Sequence, residues 1–242
     1  MQVGGNIKGG RVDGSTQAMG GGTIEYGGAC LSSPSTASMC GSWEGRFENV
    51  PLNTTHWRNL FGEIQEKSAS WSSLTPNGQV GINRISSQFS RITLESGNDD
   101  CVQVFFLRQD ALSTPAELII SPSLSGKTIL INVELDSDNN VVMDNLIDIM
   151  DPTGESGIYF KSETKAAMLW NFGRAATVTL GASNGGGVQF PGSIVVPHGN
   201  LRMMLPGHDG RAIVLGDVYH NAWGSEFHNY EFDPPCGLCR TD

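Results

Sequence analysis

Apolar positions in this chain fall in short, β-branched runs, each cut off by Gly, Pro, Asn or Asp. Between residues 169 and 232 the runs LWNF, ATVTL, FPGSIVVPHGNLRMML, GRAIVLGD and EFHNYEF follow one another, with nothing between them long enough for a sustained helix. The pattern predicts a chain that turns back on itself at intervals of ten to twenty residues, with strands at 82–89, 91–94, 102–107, 117–120, 127–135, 177–180, 193–196, 201–205 and 211–218. In VQVFFL and TILINV the apolar character is continuous, so both faces of those strands are expected to be covered. One segment breaks the pattern. Over residues 54–71, Trp57, Leu60, Phe61, Ile64 and Trp71 recur at helical spacing after the capping candidates Asn53 and Thr54, which predicts a single long helix laid against the strands.

The first fifty residues read differently. Ten of the first 28 are glycine, and strand-like pieces are isolated around Val3, Ile7, Val12 and Ile24. Pieces that short persist only when stacked on neighbours, as in a solenoid. Residues 136–165 are polar and acidic and are expected to form an excursion from the core, with 234–242 as a Cys-containing exit segment that could open a further module. The expected layout is one domain over 1–233.

Composition narrows the functional classes. Charged residues make up only 17% and the net charge is −10, which disfavours nucleic acid as a partner because phosphate binding needs clustered Lys and Arg. No apolar run approaches the roughly 20 residues of a bilayer span. Met1 runs straight into Gly-rich sequence without the apolar core of a signal peptide, so a mature or excised piece is expected. The five cysteines point to an oxidising compartment. Cys30 and Cys40 flank a short polar loop and are the expected disulfide, while Cys101, Cys236 and Cys239 are left for a disulfide or an inter-module link. Asn53 opens a glycosylation sequon.

The succession VGGNI (3–7), WSSL (71–74), VFFL (104–107), ILINV (129–133), LWNF (169–172), GSIVVPHG (192–199), GRAIVLGD (210–217) and EFHNYEF (226–232) resembles the choice-of-anchor A domain, a family of extracellular surface-associated and adhesin-like domains. The order of elements is also similar to the ice-binding β-solenoid. The resemblance implies an all-β fold, a right-handed β-solenoid with a helix packed alongside, at the cell surface or outside the cell. It implies a non-enzymatic structural or adhesive role, with other copies of the chain or other extracellular structural proteins as partners. Assembly into a filament is part of that expectation.

Candidate chemistry is thin. His198, His208, Asp209, Asp217, His220, Glu226 and His228 crowd the last runs, but their spacing matches no ligand motif, and satisfying turn backbone groups is their expected role ahead of metal binding or acid–base catalysis. The run DSDNN (136–140) begins like a calcium loop and fails where Val141 and Ile147 replace the required Gly and Glu, so no cofactor is expected, with calcium in the acidic stretch as the alternative. No G-x-S-x-G elbow or phosphate-binding loop occurs. Trp170, Tyr219, Trp223 and Tyr230 are the candidate platform for a glycan or matrix protein, weighed against their use as core. Ice binding needs a ladder of Thr-x-Thr motifs, of which only Thr177-Val178-Thr179 appears, and a polysaccharide-active enzyme would need carboxylate pairs that sequence distance does not reveal.

Overall fold

The computed structural model describes residues 2–3, 7–8, 24–26, 30–31, 47–49, 54–86, 89–112, 115–135, 139–143, 146–156, 159–181, 189–220, 226–228 and 230–238. Cys40, Asn53, Trp223 and Cys239, and the side chains of Cys30, Trp57 and His220, lie outside what is described. Two units divide at Leu60/Phe61. In the first, β1 (Gln2–Val3), β3 (Ile24–Tyr26) and β5 (Phe47–Asn49) form one parallel sheet, and β2 (Ile7–Lys8) pairs in parallel with β4 (Cys30–Leu31).

The second unit begins within helix α1 (Thr54–Ser72), which matches the helical periodicity. A hairpin of β6 (Gly78–Ser86) and β7 (Phe89–Ser96) follows and is antiparallel. All later described strand pairs are parallel. They are β8 (Val102–Arg108), β9 (Ala116–Ile120), β10 (Thr128–Glu134), β11 (Asn140–Met143), β12 (Leu146–Met150), β13 (Met168–Asn171), β14 (Thr177–Leu180), β15 (Phe190–Pro191), β16 (Ser193–Val196), β17 (Asn200–Met203), β18 (Gly207–Asp209), β19 (Ala212–Val214), β20 (Val218–His220) and β21 (Glu226–His228). Two short helices, α2 (Gln109–Leu112) and α3 (Ser162–Ala167), interrupt the series.

Strands next to each other in sequence sit in different sheets. The first sheet has the order β19-β16-β13-β10-β8, the second β11-β14-β17-β20, the third β12-β9-β7-β6 and the fourth β15-β18-β21. From β13 onward the chain visits the first, second and fourth in turn, three times over, and each return pairs in parallel with the visit before. Corners must then stack on corners. Gly192 turns at φ 91°, and a Cβ on Gly210 would fall 2.3 Å from the Gly192 carbonyl oxygen, so the PGS and DGR steps need glycine for both conformation and room.

Alternation sets the core. Ile129, Ile131 and Val133 on β10, Trp170 on β13, Ile194 and Val196 on β16, Val178 and Leu180 on β14, and Leu201 and Met203 on β17 all belong to one buried cluster. Val104, Leu130, Leu169 and Val195 face the other way and are covered by Ile64, Trp71, Leu74 and others. The first sheet is therefore apolar on both sides because α1 shields it, as the continuous runs VQVFFL and TILINV imply.

Two expectations change. Within the stretch 136–165 expected as an excursion, the described strands β11 and β12 join two sheets, and Val141, Met143, Ile149 and Phe160 are core. Only alternate residues there face inward, so the mean polarity is high although the strands are built in. The single strand expected over 211–218 is two, β19 and β20. Its break at Gly216 is held by Gly216 N–H donating to Gly199 O (3.0 Å) and Asp217 N–H to Asn200 Oδ1 (2.7 Å), a corner stacked on the corner below.

Candidate functional site

One face of the sheet β15-β18-β21 carries a connected polar cluster. On β18, His208 and Asp209 point to opposite faces, as neighbours on a strand must. His208 lies in register with Phe190 and Phe227 and stacks between them, its ring centroid 6.3 Å and 5.5 Å from theirs. His208 Nε2–H donates to Gly192 O at 2.8 Å, and burial pushes the imidazole down to about 4, so it is neutral at physiological pH.

Asp209 faces the other way, beneath α3 and the segment that follows β21. Its Oδ2 stands 2.6 Å from Lys165 Nζ, and each side chain is only 1% exposed. Its Oδ1 takes His228 Nδ1 at 2.5 Å, and His228 Nε2 meets Glu226 Oε2 at 2.9 Å. Burial works against a charge on His228, but the hydrogen bonds to Glu226 and Asp209 and the charges of both carboxylates raise its pKa above the ordinary value. The result is an alternating row, Lys165 cation, Asp209 anion, His228 cation and Glu226 anion. It runs from a buried end to a solvent end where His228 is 32% and Glu226 70% exposed. The Tyr230 ring closes the buried end, its centroid 4.6 Å from Lys165 Nζ.

Among the described residues no group of three or more His, Cys, Asp and Glu is arranged to hold a metal. In the row above, both nitrogens of His228 and both oxygens of Asp209 are engaged with each other or with Lys165 and Glu226. Asp151, in the acidic stretch weighed for calcium, is also buried and engaged. Its Oδ1 accepts from Thr153 N–H (2.7 Å), Thr153 Oγ1–H (2.7 Å) and Glu155 N–H (3.0 Å), and its Oδ2 from Lys161 N–H (2.9 Å). Burial alone would raise its pKa, but the Thr153 hydroxyl and the backbone donors of Lys161, Glu155 and Thr153 outweigh it and hold the carboxyl below its usual value. A cleft of about 570 Å³ lies nearby, lined by residues including Lys127, Thr153, Lys161, Glu163 and Asp233, but not by Lys165, Asp209 or His228.

Of the four aromatic platform candidates, Trp223 lies outside the described residues and the other three have different surroundings. Trp170 is fully buried against Phe190, 4.9 Å between centroids, and donates from Nε1 to Pro191 O at 3.0 Å. It points inward on β13 with Met168, so it is core. Tyr230 is half-buried over Lys165. Tyr219 is exposed on β20, donates to Asp217 Oδ2 (3.2 Å) and carries Arg202 over its ring at 5.4 Å. On the outward side of the second sheet the column reads Val142, Thr179, Arg202, Tyr219, with no threonine ladder. His198 lies near α1, its Nδ1 3.3 Å from Gln65 Nε2.

Cys101 and Cys236 form a disulfide with Cα atoms 6.1 Å apart across 135 residues. Thr128 fastens the same segment: its Oγ1–H donates to Cys236 O (2.7 Å), and its oxygen accepts from Cys236 N–H (3.0 Å). The first part of the expected exit segment therefore lies against the core, and the Cys101 thiol is not free to link copies. Sequence reading missed Lys165 altogether, because its helix is too short to show a period and its partner lies 44 residues away.

A family model described as "Putative Ice-binding-like adhesive domain" matches residues 1–229. No curated protein and no solved structure matches the chain. The family match agrees with the adhesive and ice-binding-like side of the motif resemblance and does not carry the choice-of-anchor A name. No described helix is long and apolar enough to cross a membrane.

Proposed function

The chain belongs to the putative ice-binding-like adhesive domain family, and from that premise we propose that it is a non-enzymatic adhesive domain displayed at a cell surface or in an extracellular matrix, close in kind to the choice-of-anchor A domains. The observation that carries this reading is the family match over nearly the whole chain. The polar cluster supports it, since Lys165 and Asp209 are buried against each other and do not line the cleft. We read the first, second and fourth sheets as the faces of a right-handed β-solenoid, on the strength of the chain visiting them in turn with parallel pairing at each return.

Self-association is the favoured mode of assembly. In the inner strands the inward positions are fully buried, as for Leu201, Val178 and Phe190, whereas Val218 and Phe227, the matching positions of the last strands, are 49% and 37% exposed. A solenoid end left in water is normally capped by polar residues; this one keeps the apolar side chains of Val218 and Phe227 partly exposed. A glycan contact through Tyr219 and Arg202 is the second reading, supported by their exposed stacking. Purified protein should bind saturably to at least one of a panel of cells, matrix-coated surfaces and glycans, and should sediment as assemblies that grow with concentration. Monomers throughout, with no binding to any surface, would exclude the adhesive reading.

A further inference from the structure

Among the described residues, Lys165–Asp209 is the one ion pair in which both side chains are buried; the Arg91–Glu117, Arg108–Asp110 and Arg211–Glu231 pairs are all partly or well exposed. Burying a lysine and a carboxylate costs several kcal/mol per ion in desolvation, so a pair held this deep needs excellent geometry. The contact has an unusual form. Nζ and Oδ2 are 2.6 Å apart, yet Asp209 Oδ2 has no hydrogen-bond partner, so the nitrogen meets the carboxyl group at close range outside hydrogen-bond geometry. The second oxygen, Oδ1, receives the proton-bearing Nδ1 of His228 at 2.5 Å. Tyr230 covers the nitrogen from outside.

The geometry points to a covalent bond that the chain forms within itself: an amide between Lys165 Nζ and Asp209 Cγ, with loss of one water. In a dry site the ammonium passes one proton to Oδ2, giving neutral amine and neutral acid, a transfer that low dielectric favours over the separated charges. His228, donating to Oδ1, polarises the carbonyl and stands where the oxyanion develops. The freed lone pair of Nζ forms the bond to Cγ, Oδ1 taking the electron pair. The carbonyl re-forms as the Cγ–Oδ2 bond breaks, and Oδ2 leaves as water with a second proton from Nζ. One N–H remains on the amide, His228 keeps its proton and nothing is oxidised or reduced. Fixed neighbours replace a chance encounter, and exclusion of water opposes hydrolysis of the product. The bond would tie α3 to β18. It does not depend on the adhesive reading.

Intact-mass measurement of the full, reduced chain tests this. The wild-type protein is expected to be lighter than its sequence by the mass of one water, and Lys165→Arg and Asp209→Ala are expected to show the full sequence mass. After denaturation and trypsin, Lys165 should resist cleavage and peptide 162–174 should be joined to peptide 203–211. A full wild-type mass with normal cleavage at Lys165 overturns the proposal and leaves an ion pair. So does a water loss confined to peptide 203–211, which would be a succinimide at Asp209-Gly210. Because wild type alone decides the bond, a variant that fails to fold leaves the test intact. In His228→Ala, folded by circular dichroism, the linked fraction should fall sharply; an unchanged fraction overturns the role given to His228.

Discussion

Two sheet faces in this molecule are each closed by a helix, and they are closed by opposite chemistry. Under α1 the polar contact is neutral. Asn171 Oδ1 accepts from Ser68 Oγ–H at 2.6 Å, and its Nδ2 faces Ser68 O (3.0 Å), Ser72 Oγ (3.1 Å) and Asn132 Oδ1 (2.8 Å). Asn132 Nδ2 in turn donates to Trp71 O at 3.0 Å. The two asparagines are register partners on β10 and β13, and the pair supplies second donors to Ser68 O and Trp71 O, which already accept from Ser72 Oγ–H and Leu74 N–H at the end of α1. Under α3 the contact is the charged row from Lys165 to Glu226. A neutral ladder fixes a helix at modest desolvation cost and is insensitive to pH. A charged row costs more to bury and holds only while every member keeps its charge or is covalently joined.

The sharpest way to break the comparison is to remove one member of each. Asp209→Ala leaves the Lys165 cation buried beside the Tyr230 ring alone, and the expected loss is about 3–5 kcal/mol in denaturant unfolding. The paired change Lys165→Met with Asp209→Leu should recover most of it; failure to recover would mean that the Lys165–Asp209 link itself, and not the desolvation of an orphan, carries the effect. Breaking the Cys101–Cys236 disulfide with Cys236→Ser should cost on the order of 2–4 kcal/mol. Its distinguishing readout is local. The segment 230–238 brings Tyr230 to Lys165 and is tied to α3 by Asp233 N–H donating to Ala166 O (3.0 Å), so amide exchange should rise around α3 and β18 and stay low in β10 and β13. On the neutral side, Asn171→Ala strands donors and acceptors of α1 and should cost about 1–3 kcal/mol, with the same loss at pH 5 and pH 8.

The contrast also explains what the sequence could and could not disclose. Helix α1 was legible because nineteen residues give a period time to repeat, and the doubly covered first sheet because its outward residues Val104, Leu130, Leu169 and Val195 are as apolar as its inward ones. Trp170 was ambiguous: a tryptophan in a strand looks alike whether it faces core or solvent, and only the register of β13 decides. The built-in strands β11 and β12 were hidden by the polar, acidic composition of the stretch around them, although Val141, Met143 and Ile149 are core. The charged row was half visible, as Asp209, Glu226 and His228 near one another in sequence. Its buried anchor, Lys165, sits on a six-residue helix beyond any periodic signal. Pairing of Cys101 with Cys236 across 135 residues leaves no local trace at all.

The smallest effect at neutral pH separates the two sides of β18 itself. His208 is held neutral, its folded pKa depressed to about 4 from an ordinary 6.5, so between those values the unfolded chain binds more protons than the folded one. Stability then rises with pH across that window, and is lost as pH falls from about 6.5 toward 4. His228 has the opposite sign: its pKa is raised, so its contribution is complete below its unfolded value and fades as pH climbs through the folded one. His208→Phe places a third phenyl ring between Phe190 and Phe227, removes the unpartnered Nδ1, and should change stability at pH 7 by about 1 kcal/mol or less. Its acid limb between pH 6.5 and 4 should be flatter than that of wild type, while the limb above pH 6.5 stays the same. If both limbs flatten together, the two histidines titrate as one coupled group through Asp209, and the inward and outward faces of β18 are not independent.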